Sequence, residues 1–227
     1  MKVLAIDAST RMLSVCVSTD SGRTESLLDV GLTHAESVID LVDFCVTRAG
    51  IAKSELGLVA CAEGPGSFTG LRIGMATAKG IAKALGIPWV AVPTLDCLAW
   101  GLEDFPGAVI PVIDARKGRY WAAIYLRGSR ASDWLDIGPE ALAALMDKHT
   151  EVFVTGPDAG QFEELATGRS GIRIDPRAGS GAARGMAALA RSIFEIKGGF
   201  PDSAGPLYLR SSEAEETASM QSRVEKT

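Results

Sequence analysis

Val3-Leu4-Ala5-Ile6-Asp7-Ala8 and Val109-Ile110-Pro111-Val112-Ile113-Asp114-Ala115 are two apolar runs that close on the same tripeptide, Ile-Asp-Ala. After a short polar turn each gives way to a second apolar run, Leu13-Ser14-Val15-Cys16-Val17 in the first case and Tyr120 to Leu126 in the second. Buried strand, short turn and returning strand is the spacing of a hairpin. The same order in both halves of the chain marks an internal duplication.

Outward from these hairpins, the periodicity predicts a third strand over residues 24–30, a helix over 34–49 and a buried strand over 58–62. A long helix ending at 85, a strand near 89–92 and a helix from 94 complete the first half. The second half reads as a strand over 133–137, a helix over 139–146, a strand over 152–155 and a helix over 158–166. Residues 168–185, rich in Gly, Arg and Ala, read as loop, and 187–197 as a last helix. The division is therefore a lobe at 1–105, a smaller and more degenerate lobe at 106–210, and a polar tail at 211–227, expected to be frayed. Paired α/β lobes, each with an Asp at the end of its first strand, point to the actin-like ATPase (ASKHA) architecture. There the two hairpin turns face each other across a cleft, a likeness of fold that carries no function by itself.

The chain has 227 residues, 47% hydrophobic, 22% charged and 6% aromatic. That length buries a large core, and the composition excludes disorder or fibre as the main state. Lys and Arg number 23 against 28 Asp and Glu, a net charge of −5. No global basic field exists, which argues against a protein that holds nucleic acid alone. Cys16, Cys45, Cys61 and Cys97 are widely spaced in apolar surroundings, so they read as reduced core residues and neither a zinc site nor a disulfide framework. The opening segment lacks a signal-peptide pattern, and later apolar stretches are broken by Lys79, Lys83 and Asp96. A cytoplasmic chain without a membrane span is expected.

Glu63-Gly64-Pro65-Gly66-Ser67-Phe68-Thr69-Gly70-Leu71-Arg72-Ile73-Gly74 is the most distinctive stretch. It joins a buried strand to a helix, where free N–H groups and the helix dipole can hold an anion. The phosphate-loop patterns fail: Gly66 leads to Gly70 at the wrong step for a Walker loop, and Thr69 stands where a dinucleotide fingerprint needs its third glycine. Ser67 is not flanked as a nucleophile elbow. The favoured reading is close packing, with Gly70, Gly74, Ala78 and Ala82 as a small-residue ridge. In the preceding helix, Thr33 and Glu36 read as a capping box and His34 as a polar surface residue. Ala35, Val38, Ile39, Val42, Cys45, Val46 and Ala49 form its core stripe. Leu41 and Phe44 fall outside that stripe, so the helix needs a second burial surface, supplied by a loop of the same chain or by a partner.

Taken together, Ile6-Asp7-Ala8-Ser9, His34-x-Glu36, Gly64 through Gly74, Asp114-Ala115-Arg116 and Pro206-Leu207-Tyr208-Leu209-Arg210 resemble the TsaB (YeaZ) family of bacterial tRNA threonylcarbamoyladenosine biosynthesis. The resemblance spans about residues 1 to 210. Ala8 stands where the family usually has Thr, and Val38-Ile39-Asp40 where it usually has Leu-Leu-Pro. It implies an actin-like scaffold without catalysis that pairs with the catalytic TsaD paralogue, supporting threonylcarbamoyl transfer to adenosine 37 of tRNAs reading ANN codons. TsaD binds its metal through a His-x-x-x-His pair, and Thr94 and Leu98 occupy those positions here, so no metal or catalytic residue is expected. Docking is implied for the helix of His34, Ser37, Val38, Leu41, Phe44 and Cys45 and for that of Leu71, Arg72, Met75 and Lys79. The same faces would form a homodimer when the partner is absent. Asp7, Ser9, Thr10 and Asp114 mark a vestigial nucleotide position; no cofactor is expected in this chain, since ATP is used through other subunits, TsaE among them. tRNA is met indirectly through the complex, and Arg116, Arg119 and Arg210 read as solvated surface. Two other functions remain on the page: an ATP-dependent phosphotransferase built on Asp7 and Asp114, and, least favoured, a glycoprotease-like metallopeptidase.

Overall fold

In the opening strand, β1 (Lys2–Asp7), Leu4 and Ile6 face one side and Val3 and Ala5 the other, all fully buried. A strand apolar on both faces belongs inside a sheet covered on both sides, and β1 is the centre of a five-stranded sheet. The computed structural model describes residues 1–31, 33–177 and 181–210; the expected tail at 211–227 lies outside them. Strands β2 (Met12–Thr19) and β3 (Gly22–Asp29) follow as antiparallel hairpins. Helix α1 (His34–Arg48) crosses to β4 (Leu56–Gly64), parallel to β1, and α2 (Phe68–Leu85) crosses to β5 (Trp89–Pro93), parallel to β4. Helix α3 (Thr94–Ala99) leads into β6 (Ala108–Arg116).

From β6 the plan repeats. Strand β7 (Arg119–Ala122) returns antiparallel, a small hairpin of β8 (Tyr125–Leu126) and β9 (Ser129–Arg130) intervenes, and β10 (Leu135–Ile137) pairs with β7. Helix α4 (Pro139–Met146) crosses to β11 (Val152–Thr155), parallel to β6; a helical turn and α5 (Glu163–Ala166) lead to β12 (Ile172–Ile174), parallel to β11. The order β10-β7-β6-β11-β12 matches β3-β2-β1-β4-β5 strand for strand, and every strand of the second set except β6 is shorter than its counterpart. Each half is thus the same α/β unit, and the fold is actin-like with two duplicated lobes.

The last helix, α6 (Ala183–Lys197), lies against β1, β2, β4 and β5, so the first sheet is covered by α1 and α2 on one face and by α3 and α6 on the other. Alternation along β6 sends Val109 and Ile113 into that same second core, while Ala108, Ile110 and Val112 join Leu142, Met146 and Phe162 in a third. The two sheets therefore share a core through α3 and α6.

The structure departs from the sequence reading at several points. The stretch read as a loop over 168–185 contains β12 and the start of α6; three residues alternating at a half-buried edge are too few for periodicity to register. Residues 158–166 form a tight 3-10 turn, Ala159–Phe162, before α5, with Gly160 weakening continuous helix. Thr33 and Glu36 make no capping box: Thr33 has φ −96° and ψ 36°, and its hydroxyl donates back to Val30 O at 3.0 Å. Ala35 and Ile39 leave the core stripe, Ile39 being 50% exposed. His34, read as surface, is only 3% exposed, and its Nε2 donates to Thr10 O at 2.7 Å, pinning the turn after β1.

The small-residue ridge of α2 is consumed inside the chain. A Cβ at Gly70 would stand 1.9 Å from Ala8 O, whereas one at Gly74 would meet Ala8 Cβ at an ordinary 3.5 Å. Gly70→Ala is therefore expected to destabilise the chain by at least about 1–3 kcal/mol, because backbone must move. Gly74→Ala, one turn further, should be neutral or stabilising by about 0.5–1 kcal/mol. Urea unfolding of the two variants checks this, and equal effects would contradict the packing described.

Candidate functional site

The strands β1 and β6 end on the same side of the molecule, as ends of parallel strands do where open α/β folds place their ligands. Between their two turns lies a cleft of about 660 Å³. Ser9, Thr10 and Arg11 line it from the first turn and Asp114, Arg116 and Lys117 from the second, while Gly66, Ser67 and Phe68 bring in the start of α2. The C-terminal segment crosses it with Tyr208 and Arg210.

Of the residues named for a vestigial nucleotide position, Ser9, Thr10 and Asp114 line this cleft and Asp7 lies behind it. The Asp7 carboxylate is fully buried and accepts from Ser9 N (2.9 Å), Ser9 Oγ (2.6 Å), Ala182 N (2.8 Å) and Ser14 Oγ (3.4 Å). A carboxylate offers about four lone-pair directions, and protein donors take them here. Ser14 Oγ in turn accepts from Ala183 N at 3.2 Å, so Asp7 and Ser14 together cap the amino terminus of α6. Negative charge at that end of a helix is favourable. The residues present do not fit a metal-bound nucleotide held through Asp7.

Asp114 is tied differently. Its Oδ1 accepts from Arg116 N at 2.7 Å, and its own N–H donates to Asp158 Oδ2 at 2.8 Å. Asp158 also accepts from Gln161 Nε2 at 3.1 Å, and Gln161 Oε1 accepts from Tyr120 OH at 2.7 Å. Burial pushes the Asp158 carboxyl above the usual range, against the hydrogen bond from Asp114 N–H, which favours its charged form. Sequence reasoning passed over Asp158 and Gln161. The available signal was a second strand-Gly-Pro junction: Gly156-Pro157 after β11 repeats Gly64-Pro65 after β4.

The second turn is strained. Arg116 (φ 64°), Lys117 (φ 54°) and Gly118 (φ 67°) are consecutive residues in the left-handed region. For the two side-chain-bearing residues this costs on the order of 1–2 kcal/mol each. Among the described residues, no cluster of three or more His, Cys, Asp or Glu could hold a metal. Thr94 and Leu98, at the positions of the paralogue's histidine pair, are both buried in α3.

The expected docking residues divide by burial. His34, Val38, Cys45, Leu71 and Met75 are buried in the chain's own core. Ser37, Leu41, Phe44, Arg72 and Lys79 retain accessible surface, and Phe44 is 52% exposed. On α2 the accessible small residues are Ala76, Gly80 and Ala84, a second four-residue row, and not the buried Gly70-Gly74-Ala78-Ala82 ridge. Arg72 stacks over Phe68 at 3.8 Å and donates through Nε to Tyr208 OH at 2.9 Å; Lys79 donates to the carbonyls of Asp202 and Ala204.

The family model of TsaD, tRNA N6-adenosine threonylcarbamoyltransferase, matches residues 29–186. The chain is 30% identical over 230 residues to the tRNA threonylcarbamoyladenosine biosynthesis protein TsaB of Escherichia coli, covering 94% of this chain and 96% of that protein. It is 29% identical over 178 residues to the protein of the same name from Bacillus subtilis, covering 73% and 75%. Among solved structures, YeaZ from Pseudomonas aeruginosa superposes with a TM-score of 0.74 at 27% identity, over 92% of this chain and 99% of that one. A ROK family glucokinase from Streptomyces griseus, 11% identical with a TM-score of 0.53 over 85% and 100%, shares the fold alone.

The Asp158 environment has a pH signature. A carboxyl whose folded pKa is raised contributes stability at pH below its unfolded value and loses it as pH rises through the folded value. Asp158→Asn keeps an acceptor for Asp114 N–H and never ionises. Its stability relative to the parent should therefore rise between pH 4 and pH 7 in urea unfolding; a pH-independent difference would refute the assignment.

Proposed function

Because the chain belongs to the TsaB family of tRNA threonylcarbamoyladenosine biosynthesis proteins, we propose that it serves as a non-catalytic subunit that docks on the catalytic TsaD paralogue. The observation that carries the docking is the outer surface of α1, where Phe44 is half exposed and Leu41 only partly covered. A large aromatic side chain on a helix gains its burial from whatever covers it, on the order of 1.5–3 kcal/mol when coverage is complete. The accessible Ala76-Gly80-Ala84 row of α2 lets a second helix approach closely beside it. A partner helix pair laid across both would complete a bundle, and a second copy of this chain would meet the same surface when the partner is absent.

The absence of catalysis is supported by the chemistry of the cleft. Asp7 is occupied as a helix cap, and Thr94 and Leu98 leave the paralogue's metal positions without two imidazoles. In this reading the chain reaches adenosine 37 of tRNA only through the complex, and ATP is handled by other subunits, TsaE among them. The chain's net charge of −5 fits a subunit that leaves the tRNA backbone to its partners. No helix among the described residues is long and apolar enough to cross a membrane.

Phe44→Asp places a charge on the accessible face without touching the core. It should leave thermal unfolding unchanged, weaken co-purification with TsaD by at least about tenfold and abolish stimulation of tRNA threonylcarbamoylation. Met75→Asp would not serve, since Met75 is buried and its substitution would test folding. Intact capture of TsaD by Phe44→Asp would overturn the proposal.

A further inference from the structure

An open sheet ends in strands whose outer N–H and C=O groups are unpaired, and folds ordinarily blunt such edges by shortness, proline or cover. Strands β10 and β12 have three residues each, and β9 has two. Strand β5 ends in Pro93, and the N–H of Phe200 donates to Trp89 O at 2.9 Å. Strand β3 is the exception. It is eight residues long, contains no proline or lysine, and pairs with β2 along its whole length in unbroken register. On its outer side no strand lies beside it among the described residues. Leu27 and Leu28 are each 43% exposed there, on opposite faces of the strand.

The charges along this edge are ordered. Alternation puts Arg23, Glu25, Leu27 and Asp29 on one face and Thr24, Ser26 and Leu28 on the other. Arg23 lies 5.6 Å above the ring of Trp100 and Asp29 accepts from Arg11, and both Arg23 and Asp29 remain exposed. A strand that pairs antiparallel with a copy of itself does so about a two-fold axis, with residues of the same face opposed. Two such registers engage nearly the whole strand. An axis through Glu25 sets that carboxylate against its own copy. An axis through Ser26 sets Arg23 against Asp29, Glu25 against Leu27 and Thr24 against Leu28, each pair occurring twice. Like charges directly opposed disfavour the first register, and opposite charges favour the second.

We propose that β3 pairs antiparallel with β3 of a second copy of this chain, about a two-fold axis at Ser26, joining the two five-stranded sheets into one. Main-chain N–H and C=O groups of the edge supply the bonds between the copies, and the side chains supply the selectivity. The Arg23–Asp29 pairs, one on each side of the axis, set the register. Asp29 already holds Arg11, so the incoming guanidinium turns a surface pair into an Arg-Asp-Arg cluster. Leu27 and Leu28 each gain a cross-strand neighbour. This surface is the backbone edge of the first sheet and uses neither Phe44 nor the Ala76-Gly80-Ala84 row. It therefore stands or fails separately from docking on TsaD.

The test is sedimentation velocity of the full chain over a concentration series, in a Phe44→Asp background so that pairing through the outer face of α1 does not contribute. A concentration-dependent dimer is expected there. Leu27 stands opposite Glu25 of the second copy, so L27E and L27K remove the same leucine and differ in the sign they present to that carboxylate. L27E should raise the dimer dissociation constant at least about tenfold, and L27K should leave it unchanged or lower it. Raising the salt to 500 mM should narrow the gap between them. Any cost of losing the leucine to folding is common to both variants and is read from their melting temperatures. A Phe44→Asp chain that stays monomeric throughout the series, or equal effects of L27E and L27K on the dimer, would overturn the proposal.

Discussion

A single buried carboxylate, that of Asp7, fixes the arrangement on which the rest of the molecule depends. An ionised group removed from water is costly unless its lone pairs are satisfied, and four protein donors satisfy this one. Two come from Ser9 in its own turn, one from Ser14 on the returning strand, and one from Ala182 at the start of α6. The bond to Ala182 joins the first strand of the chain to its last helix. With Ser14 capping Ala183, it seats α6 on the face of the first sheet, where Met186, Ala187 and Ala190 complete the core shared by both lobes. The turn so shaped offers Ser9 O to Ser67 N at 2.6 Å and brings Ala8 O against Gly70. The position of α2, and with it one wall of the cleft, follows from that contact.

The same constraint decides what chemistry the cleft can carry. A carboxylate whose oxygens are engaged by backbone and hydroxyl donors cannot also organise a metal ion without giving up the helix cap. In the duplicate half, Asp114 at the equivalent place keeps partial exposure and lines the cleft, so the two copies have diverged in opposite directions. One became a structural stitch and the other stayed at the surface of the cavity. Duplication made this possible, because the strand order needs the hairpin and crossovers but is indifferent to which turn retains a solvent-facing acid.

Much of the fold was legible because β1 and β6 are long apolar runs closing on the same tripeptide, and Pro139–Met146 and Val152–Thr155 lie where periodicity puts them. Elements decided by tertiary contact were not. Strand β12 is three residues of an edge, and the cap expected of Thr33 gave way to a bond with Val30 O. The burial of His34 depends on Thr10 O, brought up from another turn, and no local pattern encodes it. For the site, the turns containing Ser9, Thr10 and Asp114 were legible from the repeat. The saturation of Asp7 was not, since one of its donors, Ala182, lies at the cap of α6, far along the chain. Asp158 was within reach through the repeated Gly-Pro junction. Arg11 and Trp121 enter the cleft only through folding, and nothing in their local sequence marks them.

Helix α2 is where these considerations meet. Its first turn faces the cleft, its buried ridge rests on the end of β1, and its row of Ala76, Gly80 and Ala84 lies on its exposed side. The segment before Arg210 runs along it: Tyr208 packs on Phe68 at 4.6 Å and accepts from Arg72, while Lys79 holds the Asp202 and Ala204 carbonyls. Arg210 then reaches Asp136 and Ala115 O on the second lobe. The first turn and the outer face of α2 therefore belong to one helix clasped by one strap. That strap joins the two lobes, because it touches the cleft, α2 and the second sheet at once.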